Sequence, residues 1–587
     1  MSLLAQPASA LRLVALLLAL PVPTLAQPQP ATLRIGLWTL WRDQQVTLAP
    51  APDGAATLRT CPACIPAPLS RPTPLRASGN RLALPDGRSA ASVWLAGPVS
   101  LAAHGERLTL RHPLRIAARN GTLVMAATLP VETYVERVVA SESGSADTAE
   151  SLKALSVVVR SFALHQSHGH LDYDLCDSTH CQLLRWTGPP GSENGARHAA
   201  VHAATLATAG ETLWFHGQRA AAWFHQNCGG RTASPQELWP AKQDRNPTPW
   251  LVPRSDNYCT ASGARGWSAS LSLTDLTAAL AAGGLIRPGW KTLTVERRGE
   301  SGRAVVLRLD TTDISAEEFR LAVGRALGWN RILSTWFEIS PLGDRFLFHG
   351  RGLGHGVGLC QAGAAAMAAQ GHDCAQILAW YFPGAAADDD ATGRPWQSLR
   401  GQGFAIQSLD PADAAYLPQL GRALDEAQSR SGLRLSEPVT VRAFRSTPAF
   451  RDATLAPGWV AAFTERAWIG TEPLAALAAR KMLVPVLRHE FLHALVESQA
   501  TPQTPLWLRE GLVEAWGESM NATGPPPALN LDEIDRNLAH AASQEQSAIA
   551  HRAAGWCASR LLDRSGRPEV LVWLRSGLPS SALAALK

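Results

Sequence analysis

The sequence predicts an α+β, multidomain protein: a β-rich N-terminal part, a mixed α/β region, and a further α+β unit at the C-terminal end. Three observations carry this. At 587 residues the chain is too long for one hydrophobic core. Its apolar pattern changes from strand-like alternation to helical periodicity near residue 130. A small, acidic, proline-punctuated stretch, "AAADDDATGRPWQ" (385–397), then sets off the last part.

The elements follow in order. Residues 1–26 read as a secretory signal: Arg12 supplies a thin basic start, "LVALLLALPV" is a short apolar run, and "TLAQ" suits cleavage after Ala26. No later run is long enough to span a bilayer, so the mature chain is expected to be exported with no transmembrane segment beyond the signal, an uncleaved anchor being the alternative. From 32 to 127, runs such as "TLRIGLWTL" and "ERLTLRH" alternate between turn residues and read as β-rich. From 128 to 384 strands and helices mix. Residues 385–402 read as a linker, and 403–587 as the closing αβ unit. A net charge of +5 without any Lys/Arg block gives no reason to expect a nucleic-acid partner. The 20 Trp against 5 Tyr suit sugar stacking and clefts as well as core packing.

All nine cysteines lie beyond the signal, and an odd number leaves at least one outside any disulfide. Cys61 and Cys64 form a CxxC in a loop-like stretch, read as a local disulfide or a labile metal loop. No βαβ pattern surrounds it, which argues against a redox site.

Pro130 suits a first helical turn, and Val131, Tyr134, Val135, Val138 and Val139 form its apolar stripe. Glu142 follows Val135, Val138 and Val139 at spacings of seven, four and three, on the face those valines bury. Gly144 signals that the helix stops there. Burial and the negative end of the helix both raise a carboxyl pKa, which is what a general acid requires. A frayed-end cap is the bland alternative. Asp147 is expected to cap the next helix, with Glu150 three residues on.

Five blocks, "LPVETYVERVVASE", "LKALSVVVRSFAL", "YDLCDSTHCQ", "CGGRT…LW" and "GRGLGHGVGLCQAGA", occur in order. Over residues 32–384 the chain thereby resembles the stage II sporulation protein D (SpoIID/LytB) family. The resemblance implies a SpoIID-like mixed α/β domain that cleaves peptidoglycan glycan strands, preferably peptide-stripped, without water. Such a lytic transglycosylase breaks the N-acetylmuramic acid to N-acetylglucosamine linkage and leaves 1,6-anhydro ends. Glu142 falls on the family's acid, and one acid used twice suffices because the attacking hydroxyl is the sugar's own. Arg160, Gln182, His355 and Gln361 are expected at the cleft, Arg160 alternatively as a helix-face ion pair. The alternative for the whole domain is a non-catalytic, glycan-binding or hydrolase-enhancing module, as in the broader family. The chain departs from the family pattern at Ser143-Gly144, where Met-Pro is common, and at Cys360-Gln361-Ala362-Gly363, where Ser-Gln-Tyr-Gly is common.

His170, Cys176, His180 and Cys181 have two readings: a structural zinc site, as in some members, or a Cys176–Cys181 disulfide. A Cys228–Cys259 bridge is a further expectation.

In "LRHEFLHALVE" (487–497), His489 and His493 lie four apart on one helix face beside Glu490. With the following "TPLWLREGLVEAWGE", the arrangement resembles a gluzincin metallopeptidase, a zincin-like α+β domain. The resemblance implies Zn2+ held by His489, His493 and Glu510, with Glu490 as the base acting on water. It places Glu514 behind a ligand histidine and takes a peptide or protein as substrate. "GWVAAFTERAWIG" (458–470) suits the strand that lines such a cleft. His551 has two readings, a stand-in for the Tyr that steadies the oxyanion in relatives, or a surface histidine.

Overall fold

The computed structural model describes residues 32–584, except 53, 166–169, 187–194, 240–247, 264, 389–395, 502, 518–529, 540 and 542. The signal reading of residues 1–26 lies outside the described residues.

The N-terminal part is β-rich as expected. A seven-stranded and a six-stranded sheet share one core with the helices that follow. Strand Thr122–Pro130 alternates buried and half-buried positions and pairs antiparallel with Thr32–Gly36 on one side and Leu114–Arg119 on the other. It runs straight into helix Val131–Glu142, whose N-cap is Pro130. The buried residues of this helix are Val131, Tyr134, Val135, Val138 and Val139, the stripe read from the sequence. It ends at Glu142, because Ser143 is extended while its N–H still donates to the Val139 carbonyl.

Helix Ala149–His165 lies between two cores. Leu152, Leu155 and Val159 face the sheets, while Ala154, Val157 and Val158 face a second cluster built from 213–259 and 357–382. A helix apolar on both sides is placed centrally for that reason. Asp147 does not cap it. Its carboxylate accepts from Gly144 N (2.7 Å) and Ser151 Oγ (3.2 Å), tying down the turn after Glu142 instead.

Within 128–384 the structure separates a unit the sequence did not set apart. Two three-stranded sheets and helices Leu273–Ala282 and Ala316–Leu327 enclose a core of their own, with Phe319, Phe337 and Phe348 at its centre.

The stretch read as a linker is partly sheet. Ala386–Asp388 pairs with Thr212–Phe215, and Gln397–Arg400 forms an edge strand of the C-terminal sheet. The acidic middle, 389–395, lies outside the described residues. Short edge strands of mixed composition carry little periodicity, which is why composition alone suggested a linker.

The C-terminal part is a five-stranded mixed sheet, parallel in the middle and antiparallel at both edges, packed with helices. It is docked on the rest. The buried Arg442 donates to Glu211 Oε1 (2.6 Å), and Leu206 and Ala209 pack with Phe444, Phe450 and Trp468. Among the described residues, no helix is long and apolar enough to cross a membrane.

Candidate functional site

A cleft of about 750 Å³ opens above the end of helix Val131–Glu142. Glu142 lies in it with Gln182, His355 and Gln361, three of the four residues expected there. Glu142 Oε1 accepts from Leu183 N (3.0 Å), and the Gln361 side-chain amide donates to the Glu142 carbonyl (3.0 Å). Burial pushes the Glu142 carboxyl up, against the Leu183 hydrogen bond and the Arg185 charge, which lower it. Gln182 is buried, and its Oε1 accepts from Tyr134 OH (2.9 Å). His355 Nδ1 accepts from Val357 N (3.0 Å), and burial takes its pKa down to about 4, so the ring is neutral at physiological pH.

Arg160 is a correction. It is fully buried, donating to both Glu132 oxygens (2.8 and 2.5 Å) and to the Glu211 carbonyl (2.9 Å), and it does not line the cleft. It staples the helix Ala149–His165 to the start of the acid helix and to the segment that receives Arg442. The ion-pair alternative is the one observed.

Several lining residues were not singled out from the sequence. Trp38, Trp41, Trp186, Trp223 and Trp329 present indoles to the cleft. The turn carrying the first two is held from below. Asp177 accepts from Trp38 N (2.6 Å), Thr39 N (3.2 Å), Thr39 Oγ1 (2.6 Å) and Trp186 Nε1 (2.8 Å). Trp38 adopts φ 55°, a backbone region unfavourable for a side chain this large, which these bonds over-determine. Trp41 stacks on His104, ring centroids 4.4 Å apart. The separate unit supplies another wall through Arg320 and Trp329. The Trp content was the only sequence signal for any of this.

Asp177 is the other half-buried carboxylate in the cleft, and its oxygens are taken up by four donors. Glu106 sits exposed on the rim. Glu142 is therefore the carboxyl with an oxygen left to face a ligand.

Beside the cleft, His170, Cys176, His180 and Cys181 come together with all ligand atoms within 4.8 Å of one another. His170 Nε2 is 3.2 Å and His180 Nδ1 3.7 Å from Cys181 Sγ, and both cysteines are free. Two thiols and two imidazoles are a donor set suited to tetrahedral zinc. Leu175–Cys176 is a short strand, parallel to Thr32–Gly36, so the cluster anchors the Asp177–Gln182 wall to the N-terminal sheet. Cys61 and Cys64 form the local disulfide. The Cys228–Cys259 bridge is not formed, since both thiols are free.

In the C-terminal part, helix Leu483–Glu497 carries His489, Glu490 and His493, and helix Leu506–Gly517 carries Glu510 and Glu514. His489 Nε2 and His493 Nε2 are 3.1 Å apart, and Glu510 Oε2 is 3.7 Å from His493 Nε2. The three are looser than the Cys/His group and do not form a compact cluster like it. Burial pushes the Glu490 carboxyl up, and Thr464 Oγ1 donates to its Oε2 (2.6 Å). Thr464 lies on Ala462–Glu465, the edge strand of the sheet, as the sequence suggested for this segment. Glu514 Oε1 stands 3.4 Å from His551 Nδ1, and against burial, which raises its carboxyl pKa, the His551 hydrogen bond and the charges of His489 and His493 hold it down. His551 is accordingly half-buried rather than a free surface histidine. Long helix Gln544–Ser576 turns it inward, 3.8 Å from Glu510 Oε2, and despite burial the two carboxylates hold its pKa up.

Comparison with known proteins bears on the first site. Residues 119–215 match the family described as Stage II sporulation protein, SpoIID, a shorter stretch than the motifs suggested. Residues 254–358 match a domain of unknown function, DUF8618, which coincides with the separate unit that walls the cleft. An uncharacterized protein of Brachyspira hyodysenteriae is 28% identical over 268 residues, 45% of this chain and 68% of that protein. The HEFLH segment lies outside both family matches. The chain thus carries, at residues 119–215, a SpoIID domain, with Glu142 and the Cys/His cluster inside it.

Proposed function

We propose that this protein is an exported cell-wall enzyme whose SpoIID domain is a lytic transglycosylase. The domain itself points to a cell-wall role. The observation that carries the finer reading is Glu142, a carboxyl raised by burial at the floor of an indole-lined cleft. Indole faces suit the apolar faces of sugar rings. Neutral Glu142 protonates the oxygen linking N-acetylmuramic acid to N-acetylglucosamine, and the anomeric C–O bond breaks. The resulting carboxylate then takes the proton of the muramic acid C6 hydroxyl as its oxygen closes on the anomeric carbon. The acid is regenerated and no water is consumed. This differs from hydrolytic glycosidases, which use two carboxylates. His170, Cys176, His180 and Cys181 would hold a structural zinc, which would brace the cleft wall.

The C-terminal part is proposed as a zinc peptidase acting on a peptide or protein. His489, His493 and Glu510 would hold the ion, which when bound supplies Lewis acidity toward water and the scissile carbonyl. Glu490, oriented by the Thr464 hydroxyl, would as carboxylate receive the proton of the attacking water and pass it to the leaving amine. Edge strand Ala462–Glu465 offers backbone groups to an extended chain.

The deciding experiment is mass spectrometry of products released from peptide-stripped glycan by wild type and Glu142→Gln. Anhydro-ended sugars from wild type alone are expected. No release from a folded protein that still binds glycan would leave a binding module, with the peptidase as the remaining enzyme.

A further inference from the structure

A second sulfur-rich cluster lies beneath the cleft, made of segments far apart in sequence. Cys228, Asp256, Cys259 and Cys360 are fully buried, and their ligand atoms all lie within 4.8 Å of one another. We propose that these four residues bind one zinc ion that pins the cleft floor.

Three features of the surroundings support a metal. First, backbone amides point at the sulfurs. Gly230 N donates to Cys228 Sγ (3.3 Å), and Cys228 N (3.2 Å) and Gly363 N (3.5 Å) donate to Cys360 Sγ. Such donors stabilise thiolate charge, the form that ligates metal. Second, the carboxylate is positioned from outside. Tyr381 OH donates to Asp256 Oδ2 (2.9 Å) and Cys259 N to Asp256 Oδ1 (2.9 Å), while Cys228 Sγ stands 3.3 Å from Oδ2. Hydrogen bonds of this kind orient metal-binding carboxylates. Helix Gln361–Ala369 begins with room for them, since a Cβ on Gly363 would stand 2.6 Å from Asp256 Oδ2. Third, Arg303 is fully buried and donates to the Cys228 carbonyl (2.7 Å), and its Nε and Nη1 have no hydrogen-bond partner among the described residues. A guanidinium buried there offsets the excess negative charge that three thiolates and a carboxylate leave around a dication.

A disulfide fits less well. Three sulfurs share the cluster, so any one bridge strands the third beside a buried carboxylate without a cation. Soft thiolates in a closed four-ligand site favour zinc over magnesium or calcium. On binding, each thiol releases its proton to solvent, no electron moves, and no oxidant is required.

The site bears on the chemistry through one residue. Cys360 is the N-cap of the helix whose first residue, Gln361, donates to the Glu142 carbonyl. Gln361 is thus placed between the metal and the acid as a positioning residue, but the metal proposal does not depend on glycan cleavage.

Two measurements on the full chain test it. Denatured with chelator but no reductant and then alkylated, wild type is expected to carry a label on each of Cys228, Cys259 and Cys360. A peptide linking any two of them overturns the proposal. Cobalt substitution then reads Co–S bonds by their thiolate charge-transfer absorption, to which the HEFLH site contributes nothing. The Cys176→Ala/Cys181→Ala variant, which removes the neighbouring cluster's sulfurs, is expected to retain about three fifths of the band if both clusters load, or all of it if only this one does. Loss of the whole band from this variant, with its far-ultraviolet circular dichroism unchanged, overturns it.

Discussion

Gln361 donates its side-chain amide to the backbone carbonyl of Glu142 at 3.0 Å, across 219 positions of sequence. The carbonyl is one of those the ending helix leaves without an intrahelical partner, so the bond fixes the backbone that carries the acid. Replacing Gln361 by Leu should therefore lower the rate of anhydro-sugar release while leaving glycan affinity nearly unchanged. A loss of about 1 kcal/mol, roughly fivefold, is expected from one such bond. Single-turnover rates and binding isotherms on the same strands separate the two effects.

Glu142 itself should show opposite effects on activity and stability. Glu142→Gln is expected to lower turnover by about 100-fold or more, as loss of a general acid–base does. Its effect on stability follows from the raised carboxyl. With the folded pKa above the unfolded one, the folded state holds more protons in the window between them, so wild-type stability falls as pH rises through it. The uncharged amide avoids that loss. Thermal melts should show Glu142→Gln more stable than wild type at neutral pH, and the gain should vanish below about pH 4, where both states are protonated. Equal gains at both pH values would refute the burial explanation.

Arg160→Ala should be a stability variant rather than a catalytic one. It leaves Glu132 with no guanidinium partner at an 11% exposed site, at a cost of about 3 kcal/mol or more. Urea unfolding should show the loss, while the folded fraction keeps the wild-type turnover per molecule.

Trp38→Ala should weaken glycan binding by roughly five- to tenfold, about 1 kcal/mol, through lost ring stacking. Asp177→Asn should reproduce part of that loss, because the carboxylate holds the Trp38 turn without facing the ligand as Glu142 does. Titration with glycan, followed by tryptophan fluorescence, measures both.

Glu490→Gln should abolish peptide cleavage and leave anhydro-sugar release intact, and removal of metal by a chelator should stop the peptidase likewise. Thr464→Val is expected to reduce peptide turnover less, by about tenfold, since it removes one hydroxyl-to-carboxylate hydrogen bond. A panel of quenched peptide substrates reads these directly.

Some of the fold was legible from local spacing alone. The strand-to-helix change at Pro130, the valine stripe and the place of Glu142 at its end follow from a period of 3.6 residues and a stop signal. His489 and His493 share a helix face because they are four apart, and Cys176, His180 and Cys181 share a turn because they lie within six residues. The remainder came from long-range packing. It turned Arg160 away from the cleft into an ion pair with Glu132, and His551 inward against Glu514. It set Asp177 under Trp38 and brought Cys228 and Cys360 to the Asp256–Cys259 turn. These pairs are separated by tens to hundreds of positions, and no periodicity links them. Their meeting depends on which faces pack together, and that is settled by burial of the whole core rather than by any single segment.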